Sequence, residues 1–145
     1  MEVLLMEKAI YTILLALHNL AIVGCGGQGR GDAKRAQQFG NVVAVCDVDA
    51  NNRNAARDTV NKKYGDRSCA AFNDFRELLA RQDIDAVTVV VPDFWHALIG
   101  VEAARNGKDM YYEKPLAMSI ADGKAVRSAV NRHKVVFQFG TQQRS

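Results

Sequence analysis

Gly24-Cys25-Gly26-Gly27-Gln28-Gly29 carries glycines at the spacing G-x-G-x-x-G, between an apolar run, Leu20-Ala21-Ile22-Val23, and a helix-like one. Glycine-rich turns are common, so the setting carries the meaning. After a strand, the first glycine permits a tight turn, the second lets a backbone approach a pyrophosphate, and the third lets helix and strand pack closely. The N–H groups and dipole of a helix starting near Gly27 and Gln28 then receive the phosphate charge. Asp47 follows Gly29 by 18 residues, at the end of the second apolar run. A carboxylate there accepts hydrogen bonds from the adenosine ribose hydroxyls of a dinucleotide and repels a 2′-phosphate. NAD is therefore favoured over NADP. Asp49 is better placed than Asp47 to cap the following helix, whereas Arg53 could swing round and soften the preference.

An alternation of two textures must position these groups. A helix is expected over 28–39, with Ala33, Ala36 and Phe39 on one face and Gly40 as its stop. Val42 to Cys46 reads as the second strand, followed by a helix capped by Asp49, running to about Tyr64 and closed by Gly65. A short strand from Cys69 to Phe72 precedes Asn73, a good cap for Phe75 to Leu79. Ala86 to Val91 is apolar at nearly every position, which suits a strand covered on both faces. Pro92 stops it, and a helix from about Phe94 to Asn106 ends at Gly107. Asp109 to Tyr112 reads as a strand broken by Pro115, Ser119 with Asp122 as a capping-box opening of a helix to about His133, and Val135 to Phe139 as the last strand. Six strands alternating with five helices require crossover connections, hence parallel pairing and a doubly wound α/β sheet. Ligands of such sheets sit at the carboxyl ends of the strands, where Pro92, Glu113 and Arg144 all fall. Pro92 also fixes the chain direction, so that the backbone can lie against a dinucleotide.

Composition narrows the class. With 48% apolar and 24% charged residues and only two prolines, the 145-residue chain suits one ordered domain. Its net charge of +3 is spread without a basic stripe, which argues against nucleic acid. Cys25, Cys46 and Cys69 form no C-x-x-C pair, so neither a disulfide framework nor a zinc site is expected, and a reducing, cytoplasmic setting is. Within residues 1–18, Val3, Met6, Ile10, Ile13, Leu14 and Leu17 fall at helical spacing and favour a docked helix. A mistaken start or a rearranged gene end remains the alternative. The apolar stretch Ala9 to Leu17 is too short to span a bilayer and lacks a basic flank, so no membrane segment or signal peptide is expected.

Four segments together resemble the Gfo/Idh/MocA oxidoreductase family, over about Leu20 to Ser145. They are Ala21 to Gly29, Val91-Pro92-Asp93-Phe94-Trp95-His96, Glu113-Lys114-Pro115-Leu116 and Gly140-Thr141-Gln142-Gln143-Arg144-Ser145, each placed after a successive strand. The resemblance implies a Rossmann domain over 19–145, strand order 3-2-1-4-5-6, NAD as cofactor, and a sugar or polyol whose CH–OH group is oxidised. It implies that Lys114 points at the substrate hydroxyl and nicotinamide ribose, where an ammonium stabilises developing alkoxide. Glu113 then holds the lysine or the cofactor, and His96 lines the nicotinamide side; a histidine that merely caps its helix is the other reading. Arg144 could touch substrate or cofactor, or fray at the chain end. Relatives often carry His-Trp-His where this chain has Phe94-Trp95-His96, so substrate detail does not transfer.

In that family a second, mostly antiparallel α/β domain follows the sixth strand. It supplies the general base, the substrate pocket and most of the oligomer interface. The chain ends at Ser145, where that domain would begin, and neither His18 nor His133 suits the role of the base. The expectation is a nucleotide-binding half that is catalytically incomplete alone and prone to self-association through an exposed apolar face. A standalone NAD-binding sensor or partner-completed module is the alternative, and a minimal dehydrogenase using Lys114 alone a third reading.

Overall fold

The computed structural model of the protein describes residues 18–140; the leader helix expected before His18 and the expected role of Arg144 lie outside them. Strands β1 (Asn19–Val23), β2 (Asn41–Cys46), β3 (Ala70–Phe72), β4 (Ala86–Val89), β5 (Asp109–Tyr112) and β6 (Phe137–Phe139) alternate with helices. The helices are α1 (Gly27–Ala36), α2 (Ala50–Tyr64), α3 (Phe75–Leu79), α4 (Asp93–Arg105) and α5 (Ile120–His133). The strands form one parallel sheet in the order β3-β2-β1-β4-β5-β6. The winding reverses between β1 and β4, and a crevice opens there above the carboxyl ends of both strands.

Successive residues of β1 point to opposite faces. Ile22 packs with Val42, Val45, Ala33, Ala36, Ala56 and Val60, joining α1 and α2 to one face. Ala21 and Val23 pack with Ala44, Cys46, Val87, Val89, Leu78, Leu79 and Ala103, joining α3 and α4 to the other. With helices on both faces, the inner strands can be apolar at consecutive positions without exposing any of them. Among the described residues no helix is long and apolar enough to cross a membrane.

Local signals fix most boundaries. Asp49 accepts from the backbone N–H groups of Asn51 and Asn52 at 2.8 and 3.0 Å, and Gly65 closes α2 in the left-handed region with φ 72°. The cap of α3 is Asp74, not the expected Asn73. The helix starts at Phe75, so only the residue directly before it can accept from Arg76 N–H, which Asp74 does at 2.9 Å. Ser119 Oγ accepts from Asp122 N–H at 3.1 Å, as expected, but the Asp122 carboxylate takes the Ser119 hydroxyl at 2.8 Å in return. β4 ends at Val89, two residues before the expected end, because Val90 and Val91 leave the sheet to wall the crevice. Lys134 adopts a left-handed φ of 56° at the end of α5, a stop that no glycine announced.

Candidate functional site

The glycines of the first turn do different jobs. Gly24 sits at φ 94° and donates its N–H to Cys46 O at 2.9 Å; a Cβ there would stand 1.9 Å from Val90 O. A Cβ on Gly29 would stand 1.9 Å from Gly24 O. Both must lack side chains for the turn to close at all. Gly26 and Gly27 differ, since a Cβ on either would meet nothing within 4 Å. The space in front of them is the cleft. Gly26 caps α1 with no side-chain hydrogen bond, and no acidic residue occupies the first turn. The leading N–H groups of the helix thus keep their positive field for an anion.

Asp47, just past β2, binds the same turn. Its Oδ2 accepts from Cys25 N–H at 2.7 Å and its Oδ1 from Asp49 N–H at 2.9 Å. A carboxylate has about four acceptor positions, so one on each oxygen remains for a pair of hydroxyls. Beneath it, Cys25 Sγ donates to Cys46 O at 3.4 Å. Burial, and then the nearby Asp47 charge, push both the Cys25 and Cys46 thiols up to about 12, so neither is a nucleophile. The cysteines are buried and free, the packing role their apolar setting suggested.

At the other end, β5 delivers Glu113 and Lys114 to the rim. Glu113 is buried; its N–H donates to Val89 O at 3.0 Å, while its carboxylate accepts from Tyr111 Oη at 3.4 Å and from Lys114 N–H at 3.3 Å. Lys114 is exposed and lines the cleft, ahead of a cis peptide to Pro115. Tyr112 donates its hydroxyl to Leu116 O at 3.1 Å, tying the loop's far side to the core. Gly100 leaves room for that ring, because a Cβ there would come within 2.7 Å of Tyr112 Cε2.

The cleft of about 770 Å³ brings together Gly24, Gly26, Gly27, Gln28, Gly29, Asp47, Pro92, Glu113 and Lys114. His96 is not part of its wall. That side chain is fully buried in α4, where Nε2 donates to Val91 O at 2.8 Å and the ring meets Tyr112 edge-on at 5.0 Å. Burial holds the imidazole below its ordinary pKa and hence neutral. His96 thus neither faces the crevice nor caps its helix; it braces Val91, which does line the crevice.

Sequence reasoning missed the lip formed by Asn52, Asn73, Asp74, Phe75 and Arg76; Phe94 and Trp95, from the motif after the fourth strand, line the same cleft. The Arg76 guanidinium lies 4.4 Å from the Phe75 ring centre, and Trp95 meets that ring edge-on at 6.2 Å. The available signal was topological: the loop after β3 also ends at the carboxyl edge of the sheet.

A parallel sheet of this order, with a glycine turn opening onto an uncapped helix start and a carboxylate at the tip of β2, defines a dinucleotide-binding Rossmann domain. The chain belongs to the Gfo/Idh/MocA family, described as an oxidoreductase family with an NAD-binding Rossmann fold, which matches residues 18–141. It is 34% identical over 104 residues to the inositol 2-dehydrogenase of Salmonella typhimurium, covering 71% of this chain and 30% of that protein. It is 30% identical over 122 residues to the 2,7-anhydro-N-acetylneuraminate hydratase of Mediterraneibacter gnavus, covering 83% of this chain and 30% of that one. The crystal structure of scyllo-inositol dehydrogenase from Lactobacillus casei, with bound NAD(H) and scyllo-inositol, superposes with a TM-score of 0.72 at 28% identity, over 85% of this chain and 36% of that one. The chain thus spans about a third of the length of these relatives.

Proposed function

We propose that this chain binds NAD along the cleft and forms the nucleotide half of an oxidoreductase acting on a CH–OH group of a sugar or polyol. The observation that carries the proposal is one continuous cleft. It runs from the uncapped start of α1, past Asp47 on one side, to Glu113 and Lys114 on the other. The residues fit the cofactor: Gly26 and Gly27 leave open the space that a pyrophosphate needs, and Asp47 keeps acceptor capacity for a ribose diol. NAD, when bound, supplies the nicotinamide ring that takes or gives the hydride.

The chain's own residues do the rest. The N–H groups opening α1 hold the pyrophosphate, and the Asp47 charge favours a free 2′-hydroxyl over a phosphate. The Lys114 ammonium donates to the hydroxyl oxygen of the substrate and stabilises the negative charge that grows there as hydride leaves carbon. Glu113, bonded to the Lys114 backbone N–H, sets the direction of that loop. The proton released from the hydroxyl needs a base. None of the described cleft residues is assigned that part, so turnover requires residues beyond these, and the working compartment is the cytoplasm. Likeness to a protein named as a hydratase favours a second reading, a dinucleotide-binding module without net redox turnover of its own.

Calorimetric titration with NAD+ and NADP+ tests the shared premise. Saturable NAD+ binding, tighter than NADP+, is expected; no binding of either at millimolar concentration overturns it. Reduction of NAD+ by a panel of inositols and sugars, followed by absorbance, then separates an active dehydrogenase from a binding module.

A further inference from the structure

Arg53, in the first turn of α2, is committed to the back of the adenosine lip. Its Nη1 donates to the backbone carbonyl of Asp47 at 2.6 Å and to Asn73 Oδ1 at 3.2 Å. Asp47 and Asn73 both wall the cleft, whereas Arg53 does not. One guanidinium therefore joins the loop after β2 to the loop after β3 from behind. Asp47 N–H donating to Phe72 O at 3.2 Å makes a second tie between the same segments. With Cys25 and Asp49 fixing the carboxylate, Asp47 is held at its amide, its carbonyl and both carboxylate oxygens. The guanidinium that does wall this lip, Arg76, is also engaged, pairing with Asp74 at 3.2 Å above the Phe75 ring.

We propose that Arg53 is the positioning residue that sets dinucleotide choice: by clamping Asp47 and Asn73 from behind, it presents the Asp47 carboxylate to a ribose diol and is itself withheld from any 2′-phosphate. The inference rests on the NAD reading above. An arginine in this neighbourhood would ordinarily argue for NADP, because guanidinium and phosphate pair so well. Here Nη1 is held by Asp47 O and Asn73 Oδ1, and the residue does not line the cleft where a 2′-phosphate would lie. The clamp acts only through Asp47, so its effect must vanish when Asp47 is gone.

The test is a double-mutant cycle read by calorimetric titration of NAD+ and NADP+ on the whole chain. Arg53→Met keeps the stem and removes the donors. It should weaken NAD+ by about tenfold, the order of one charge-assisted hydrogen bond, and NADP+ by less than about threefold. In an Asp47→Ala background the same change should cost NAD+ less than about twofold. Arg53→Lys, with one compact donor group in place of the fork, should recover part of the preference. Equal losses for both dinucleotides, or the same factor in both backgrounds, would mark Arg53 as merely structural and overturn the proposal. Should Arg53→Met fail to fold by circular dichroism, Asn73→Ala removes the second acceptor alone. It should shift the NAD+ to NADP+ ratio in the same direction by about threefold, and an unchanged ratio overturns the proposal equally. Wild-type protein that binds neither dinucleotide is a separate result, which defeats the NAD reading itself.

Discussion

At the end of the cleft formed by the glycine turn and Asp47, backbone and side chains close on one another. Cys25 and Asp49 donate to Asp47, Gly24 donates to Cys46, and the Gly24 and Gly29 backbones pack too tightly to admit a methyl group. At the opposite end the Lys114 side chain is exposed, and apolar surface surrounds the following turn, with Met118 68% and Ile120 81% exposed. One end is built from internal hydrogen bonds; the other presents a charge and an apolar rim outward. Changes to the close-packed residues of the first should therefore damage fold and nucleotide binding together, and changes to the exposed residues of the second should leave both intact.

The largest expected effect breaks the first end outright. Gly24→Ala must move Val90 O and must hold alanine at a positive φ, so it should cost at least about 3 kcal/mol in thermal or denaturant unfolding. Gly26→Ala sharpens the contrast. Its Cβ meets open space, so stability should change by less than about 1 kcal/mol while NAD+ affinity falls at least about tenfold. Equal stability losses for the two variants would show that the turn does not divide its labour in this way.

A pH series probes the same end more gently. Burial raises the Cys25 and Cys46 thiols to about 12 and Cys69 to about 11, from an ordinary 9.0. Unfolded thiols ionise first as pH rises, so the native state then holds more protons than the unfolded one. The stability these thiols contribute is full below pH 9 and falls as pH climbs through 11 to 12. Melting temperatures should drop as pH rises from about 9 to about 11, and Cys46→Ala should flatten that slope. A slope indifferent to the substitution would remove the thiols as its cause.

The smallest effect is expected at the Lys114 end. Lys114→Met should leave unfolding within about 0.5 kcal/mol of wild type, because the side chain is exposed and the hydrogen bond to Glu113 uses its backbone N–H. NAD+ affinity should change by less than about threefold, a charge at the solvent rim being worth little. A large loss of stability would show that the ammonium is structural and that the two ends are not independent.

Much of this was legible beforehand, for identifiable reasons. The two-sided burial of β1 and β4 leaves a nearly continuous apolar signature, and Gly65 and Asp49 mark the ends of α2 by local chemistry alone. Lys134 ends α5 in a left-handed turn that carries no glycine, so nothing in its residue type announced it. His96 shows why side-chain roles are harder. The family resemblance implied a place on the cleft, yet the side chain turns inward, onto Val91 O and the Tyr112 ring.

What the sequence determined by itself was the order of elements, the parallel sheet they require and the glycine turn at its switch point, because periodicity, caps and turn residues act over a few positions. Only the tertiary structure decided which glycines are sterically compelled and which face the open cleft, that Arg53 is tied behind Asp47, and that His96 braces the crevice from within. Those outcomes depend on atoms brought together from residues far apart in the chain: Gly24 against Val90, Arg53 against Asn73, His96 against Tyr112. Close packing, not local propensity, sets such contacts.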